Sequence, residues 1–144
     1  MAGAGAHPLS DRLRRVVEAL PLRPGLRVLE VGGAPGAAAR AVAERVAPDG
    51  HVLVLDRSAR GIALTEALCA PEIAAGLLST RLAAVEDVSL DVAPFDLAFA
   101  CRVGALDGRH PQLYEAALAN LRRAVVPGGV LYLDTGEPLD AVRL

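Results

Sequence analysis

Two acidic residues and a glycine-rich turn are the part of this sequence where residue types and spacing indicate a site. An apolar segment at residues 28–31 contains Glu30 and runs directly into the turn Gly32–Gly36. Twenty residues beyond that turn, a second apolar segment ends in Asp56. A strand, a glycine-rich turn, a helix and a second strand ending in an acid hold nucleoside-containing cofactors at the carboxyl end of a parallel sheet.

The spacing of small residues within the turn separates one cofactor from another. A dinucleotide turn reads G-x-G-x-x-G and brings a pyrophosphate against the start of a helix. Here the small residues are Gly32, Ala34 and Gly36, and Glu30 precedes them, where a carboxylate would repel a pyrophosphate. The same glutamate suits a ligand with an ammonium group and no phosphate, such as S-adenosylmethionine. Asp56 can then accept hydrogen bonds from both ribose hydroxyls.

Alternating strands and helices must position these residues. The hydrophobic pattern predicts strands at residues 27–31, 51–55, 80–84, 95–100 and 130–133. It predicts helices at residues 9–20, 36–47, 58–69, 71–78 and 111–126. This alternation is typical of a doubly wound parallel α/β sheet with helices on both faces, in three layers. Residues 135–144 are too few for more than a tail or one strand.

Composition narrows the protein class. The apolar fraction is 53% but aromatic residues are only 3%, so we expect a core of Ala, Val and Leu. We expect one domain at residues 8–144 behind a flexible segment at residues 1–7. All 15 basic residues are arginine, which excludes lysine-based chemistry. Cys69 and Cys101 have no metal-ligand or disulfide spacing, so we predict a cytoplasmic protein without a metal site.

The charge pattern bears on partners. A net charge of −2 gives no general attraction to nucleic acid or to membranes. Basic patches interleaved with aromatic residues are missing, which argues against RNA or DNA as a substrate. No apolar run approaches the roughly 18 residues of a membrane helix. We therefore expect a small-molecule substrate.

From about Leu22 to Thr135 the chain resembles the class I S-adenosylmethionine-dependent methyltransferases. Four segments carry the resemblance in family order: the first signature at residues 28–36, the second strand with its ribose-binding acid at 51–58, the fourth strand at 94–100, and the helix, Pro-Gly-Gly turn and fifth strand at 121–133. The resemblance implies a Rossmann-like core with strand order 3-2-1-4-5. It also implies a ligand over the ends of strands one, two and four.

The resemblance also implies which residues bind the cofactor. They are Glu30, Gly32, Gly33, Gly36, Asp56, Arg57, Val85, Glu86 and Cys101. Two positions depart from the family pattern. Ala34 stands where the family has a glycine, and alanine does not easily adopt a positive φ. Ala84 stands where an Asp or Asn often meets the adenine amino group, which leaves the Val85 backbone and Glu86 or Asp87 as substitutes.

Several residues near the end of the fourth strand are candidates for the acceptor side, and two of them are open to two readings. Arg102 follows the fourth strand and is either an anchor for an acidic substrate or a surface arginine. His110 is either a base or a residue that starts a helix. Asp107 and Asp134 are candidate substrate-side carboxylates, whereas Asp96 is expected to pair with nearby backbone. None of these residues can be assigned as catalytic from the sequence.

The predicted function is methyl transfer from S-adenosylmethionine to an unidentified small molecule, by in-line attack of an N, O or C atom. Two alternatives stay open: a non-catalytic S-adenosylmethionine-binding module or partner subunit, and an NAD-binding dehydrogenase fragment. Glu30 and the turn spacing count against the dehydrogenase. The family usually continues beyond the fifth strand, so here the fifth-strand edge would be exposed and available for a homodimer, unless the tail or a second subunit covers that edge.

Overall fold

The computed structural model describes residues 9–144, so the predicted flexible segment at residues 1–7 lies outside the described residues. The strands are β1 (Arg27–Val31), β2 (His51–Asp56), β3 (Leu78–Leu82), β4 (Leu97–Ala100), β5 (Val130–Leu133) and β6 (Asp140–Arg143). The α-helices are α1 (Asp11–Ala19), α2 (Ala37–Val46), α3 (Ala59–Leu68), α4 (Ala70–Ala74) and α5 (Tyr114–Ala124), the last preceded by a 3-10 turn at Pro111–Leu113.

These strands form one twisted sheet with the order β3-β2-β1-β4-β5-β6. This order confirms the predicted order 3-2-1-4-5. The first five strands are mutually parallel, as predicted. The chain reverses its direction of travel across the sheet between β1 and β4. Ligands of open α/β sheets bind at such a switch point, beyond the carboxyl ends of the strands.

The C-terminal residues add a strand that the sequence left open. β6 pairs antiparallel with β5, with Leu131 opposite Val142 and Tyr132 opposite Ala141. The fifth strand is therefore not an edge, so the expectation of an exposed fifth-strand edge was wrong. A homodimer remains a prediction, but it has lost the free edge on which it was based.

The core lies on both faces of the sheet because successive strand residues point to opposite sides. On one face, β-strand side chains such as Leu29 and Leu131 pack with Leu121 of α5. On the other, Val28 and Val54 pack with residues of α1 and α2, including Val16, Val17, Val42 and Val46. This small aliphatic core agrees with the composition, and both phenylalanines, Phe95 and Phe99, are also fully buried in it.

The boundary between α4 and β3 differs from the prediction. The sequence pattern extended the helix to residue 78 and started the strand at residue 80, whereas α4 ends at Ala74 and β3 starts at Leu78. Gly76 has φ +79°, its N–H donates to the Ile73 carbonyl, and the Leu77 N–H donates to the Glu72 carbonyl. This pair of bonds is a Schellman motif, which ends a helix at a left-handed glycine.

Two further features complete the fold. Asp96 pairs with backbone as predicted, because its carboxylate accepts from the Arg27 N–H at 2.8 Å while its own N–H donates to the Arg27 carbonyl at 2.7 Å. This exchange fixes the start of β4 beside the start of β1. Across residues 9–144, none of the helices has the length and apolar character needed to cross a membrane.

Candidate cofactor and acceptor site

A cleft of about 290 Å³ opens at the carboxyl end of the parallel strands. Segments from four strands and from the loop before α5 line it: residues 31–32 of β1 and its turn, 55–57 at the end of β2, 83–86 after β3, 102–105 after β4, and 109, 110 and 113. Five of the predicted cofactor residues are among them: Gly32, Asp56, Arg57, Val85 and Glu86. Glu30, Gly33, Gly36 and Cys101 lie outside the cleft lining.

The glycine-rich turn owes its shape to left-handed backbone. Gly32 has φ +73° and Gly36 has φ +107°, both in the region that side chains rarely adopt. Gly36 is the residue before α2 and gives that helix no side-chain cap. The amide groups of the first turn of α2 are therefore available to an acidic ligand group, as at other helix starts.

Ala34 fits the turn without the strain that the sequence suggested. Within the described part of the chain, Arg102 is the sole non-glycine residue with a positive φ, so Ala34 does not need glycine's freedom. Its methyl group is accommodated by α3, because a Cβ on Gly61 would lie 2.7 Å from the Ala34 Cβ. Gly61 is itself fixed by Ser58, whose Oγ accepts the Gly61 N–H at 2.9 Å and caps α3.

Glu30 is buried beneath the turn. It is 3% exposed, and a Cβ on Gly33 would lie 2.6 Å from its Cδ, so only glycine fits above the carboxyl group. Within residues 9–144 its Oε1 has no hydrogen-bond partner. Burial, and secondarily the charge of Asp56, raise the pKa of Glu30 from 4.5 to about 8. An unpartnered buried carboxyl group of this kind is suited to meet a cation supplied by a ligand.

Asp56 ends β2 with its carboxylate at the cleft. Its Oδ2 accepts the Ala34 N–H at 3.1 Å and its Oδ1 accepts the Ser58 N–H at 2.9 Å. These two bonds tie the glycine-rich turn to the start of α3. A carboxylate has further acceptor capacity beyond two bonds, so Asp56 serves the loop structure and can still receive two hydroxyls.

The loop after β3 supplies the remaining predicted cofactor residues. Val85 is buried, and its carbonyl accepts a hydrogen bond from Nδ2 of Asn120 on α5 at 2.8 Å. Glu86 lines the cleft beside it, whereas Asp87 does not. Of the two carboxylates suggested as substitutes for the missing acid at Ala84, Glu86 is thus the one that reaches the site.

Cys101 directly follows β4 and is partly buried. Burial, followed by the nearby charges of Glu30 and Asp134, raises the pKa of its thiol to about 12. The thiol therefore stays protonated at neutral pH and is a poor nucleophile.

The acceptor side of the cleft is a wall of basic residues after β4. Arg102, Arg109 and His110 line it, and the His110 ring packs so closely on Gly104 that a Cβ there would lie 2.4 Å from its Cδ2. Asp107 and Asp134 do not line it. Arg109 was missed because no spacing pattern links a loop arginine to a site. Only its position shortly after a strand that ends at the cleft could have indicated it.

Comparison with known proteins identifies the family. Residues 28–129 match a family model described as "Methyltransferase domain". This match includes the turn, Asp56 and the strands around the cleft. The chain belongs to the class I S-adenosylmethionine-dependent methyltransferase family. An NAD-binding dehydrogenase fragment, the least favoured alternative from the sequence, finds no support in these matches.

One of two similar curated proteins is a methyltransferase by name. The chain is 32% identical over 130 residues to nocamycin O-methyltransferase of Saccharothrix syringae, covering 90% of this chain and 45% of the relative. It is 33% identical over 127 residues to an uncharacterised 37.1 kDa protein of a Streptomyces fradiae transposon, covering 85% of this chain and 33% of that protein. The chain thus spans between a third and a half of these relatives.

A solved structure shows the same fold. Phosphoethanolamine N-methyltransferase 1 of Haemonchus contortus, in complex with phosphoethanolamine and S-adenosylhomocysteine, superposes with a TM-score of 0.71 at 22% identity. The superposition covers 90% of this chain and 27% of that one. At this identity the likeness concerns the fold, which is the α/β arrangement predicted from the sequence.

Proposed function

We propose that this chain binds S-adenosylmethionine in the cleft and transfers its methyl group to a small molecule. The observation that carries the proposal is the buried Glu30 carboxyl group with its unpartnered Oε1, packed under Gly33 at the end of β1. A methionyl ammonium would provide the missing charge partner. Family membership and the position of Asp56 at the end of the neighbouring strand support the same ligand.

The residues of the chain would hold the cofactor by its three polar parts. Glu30 would pair with the ammonium group, and the uncapped amides at the start of α2 would receive the carboxylate. Asp56 would accept the ribose hydroxyls, while the segment at Val85 and Glu86 would border the adenine ring. Bound S-adenosylmethionine supplies an already activated methyl group on its sulfonium. The protein's contribution is therefore positioning and exclusion of water.

The acceptor is proposed to be a small molecule. The cleft is about 290 Å³, at the low end of the range for small-ligand sites. The O-methyltransferase named for nocamycin among the relatives supports an oxygen acceptor. A deprotonating group is required only if that oxygen is poorly ionised, and His110 is the residue on the acceptor wall whose ring could serve as a base.

Transfer of labelled methyl groups tests the proposal. The purified chain is incubated with S-adenosylmethionine carrying a radioactive methyl group and with the small-molecule fraction of a cell extract. We expect labelled small-molecule product, and much less product with Asp56→Ala protein when the cofactor is below saturation. Binding of S-adenosylhomocysteine without any transfer would instead favour the non-catalytic binding module, and absence of both binding and transfer would overturn the proposal.

A further inference from the structure

Arg102, directly after β4, has a backbone conformation that its side chain disfavours. Its φ is +56°, and no other non-glycine residue among 9–144 has a positive φ. A left-handed conformation is costly for a residue with a Cβ, and such residues cluster at functional sites. The surrounding structure must therefore hold Arg102 in place.

Two charged side chains from different parts of the fold clamp the backbone of Arg102. Its N–H donates to Oδ1 of Asp134 at 3.1 Å, and its carbonyl accepts from Nη2 of Arg109 at 2.7 Å. Each clamp is itself held by an ion pair. Asp134 pairs with Arg12 of α1 at 3.1 Å, and Arg109 pairs with Asp107 at 2.9 Å.

The clamps leave the guanidinium of Arg102 unused. Arg102 lines the cleft and its side chain is exposed. Its guanidinium makes no hydrogen bond or ion pair to any described residue. The carboxylates of the cleft lining are Asp56, the last residue of β2, and Glu86, which follows β3; both strands lie on the opposite side of β1 from β4. The carboxylates nearer to Arg102, Asp107 and Asp134, already have arginine partners.

We propose that Arg102 is a specificity-determining residue that binds an oxyanion, a carboxylate or phosphate group, on the methyl acceptor. A planar guanidinium can give two parallel hydrogen bonds to either group, which fixes the orientation of the acceptor as well as its charge. The clamped backbone fixes the point at which this side chain leaves the chain, beside the cleft. The inference rests on the proposed function, since it assigns the acceptor class of the same cleft.

A set of substitutions at Arg102 separates the side chain from its backbone. Arg102→Gly removes the guanidinium and adopts φ +56° without strain, so the fold should be at least as stable as wild type. Arg102→Ala removes the same group but keeps the disfavoured backbone, so it should be less stable than the glycine variant. Arg102→Lys keeps the charge without the planar fork and should rescue acceptor binding in part.

The experiment uses a small-molecule extract separated on an anion exchanger at pH 8. Methyl transfer is measured with the retained and flow-through fractions, together with the Kd for S-adenosylhomocysteine. We expect acceptor activity in the retained fraction. Arg102→Gly should raise the apparent KM for that fraction about 10- to 100-fold and leave the Kd for S-adenosylhomocysteine within about twofold. The apparent KM of Arg102→Lys should lie between those of wild type and Arg102→Gly. Loss of acceptor activity after phosphatase treatment identifies a phosphate, and survival identifies a carboxylate.

Other outcomes overturn the inference. Acceptor activity confined to the flow-through fraction, or an Arg102→Gly enzyme with unchanged apparent KM, would refute the role of Arg102 while leaving the proposed function intact. Absence of transfer to either fraction by a chain that binds S-adenosylhomocysteine would refute turnover and this inference with it. Unfolded Arg102→Gly protein alongside folded Arg102→Ala protein would contradict the backbone argument.

Discussion

Replacing Glu30 with glutamine should stabilise the ligand-free protein at alkaline pH and at the same time weaken cofactor binding. The carboxyl group has a pKa of about 8 in the folded chain and an ordinary value of 4.5. Between these values the folded state holds a proton that the unfolded state has released, so the free energy of unfolding falls as pH rises. At about 1.4 kcal/mol for each pH unit, the loss reaches roughly 5 kcal/mol at pH 9.

Urea unfolding of wild type and Glu30→Gln between pH 5 and pH 9 measures this effect. Wild type should lose stability across the interval, whereas the glutamine variant should lack that component and exceed wild type by a few kcal/mol at pH 9. Glu18→Gln on the exposed face of α1 makes the same chemical change away from the cleft and is the matched control. Parallel pH profiles for wild type and Glu30→Gln would refute the buried, protonated state of Glu30.

Cofactor binding should favour the ionised form of Glu30, whereas the ligand-free fold favours the protonated form. An ammonium group beside Glu30 favours the carboxylate, so binding at pH 7 should release about 0.9 proton, because a group with pKa about 8 is mostly protonated there. Calorimetry of S-adenosylhomocysteine in two buffers of different ionisation enthalpy measures the release. Glu30→Gln should abolish it and weaken binding by about 1.5–3 kcal/mol. Full affinity without proton release in wild type would show that the ammonium group lies elsewhere.

Three further predictions concern the turn and its neighbours. Asp56→Ala should weaken S-adenosylhomocysteine binding, measured by calorimetry, by about 1.5–3 kcal/mol. Ser58→Ala should mainly lower stability to heat, by about 1 kcal/mol. Equal losses of affinity in the two variants would argue against the ribose role of Asp56. Gly61→Ala should destabilise the fold by about 1–3 kcal/mol because its Cβ meets Ala34. Ala34→Gly should rescue the stability of Gly61→Ala in a double-mutant cycle. Additive effects of the two substitutions on stability would contradict this packing. Cys101→Ser should retain methyl transfer, and the Cys101 thiol should react slowly with a disulfide reagent at pH 8, whereas fast labelling would contradict its raised pKa.

The sequence predicted the central strands well because their information is local. β1 and β5 start and end where the hydrophobic pattern placed them, and β2 is only one residue longer. Continuous apolar runs bounded by turn residues are the pattern of strands buried on both faces. The end of α4 could have been placed more accurately, since Gly76 is the residue type that ends helices in a Schellman motif.

Other features depend on contacts between distant residues. β6 has no strong strand pattern of its own and exists through pairing with β5. The fit of Ala34 depends on Gly61, which lies 27 positions later in the chain and leaves room for its methyl group. The conformation of Arg102 depends on side chains of Asp134 and Arg109. No local propensity encodes such relations, so the sequence left Arg102 as either an anchor or a surface residue.

Calorimetric titration of the wild-type chain with S-adenosylhomocysteine and, separately, with NAD tests the cofactor assignment most directly. We expect saturable binding of one S-adenosylhomocysteine per chain and no saturable binding of NAD. A chain that is folded by circular dichroism yet binds NAD, or binds neither ligand, would contradict the assignment of Glu30 and Asp56 to a methionyl ammonium and a ribose.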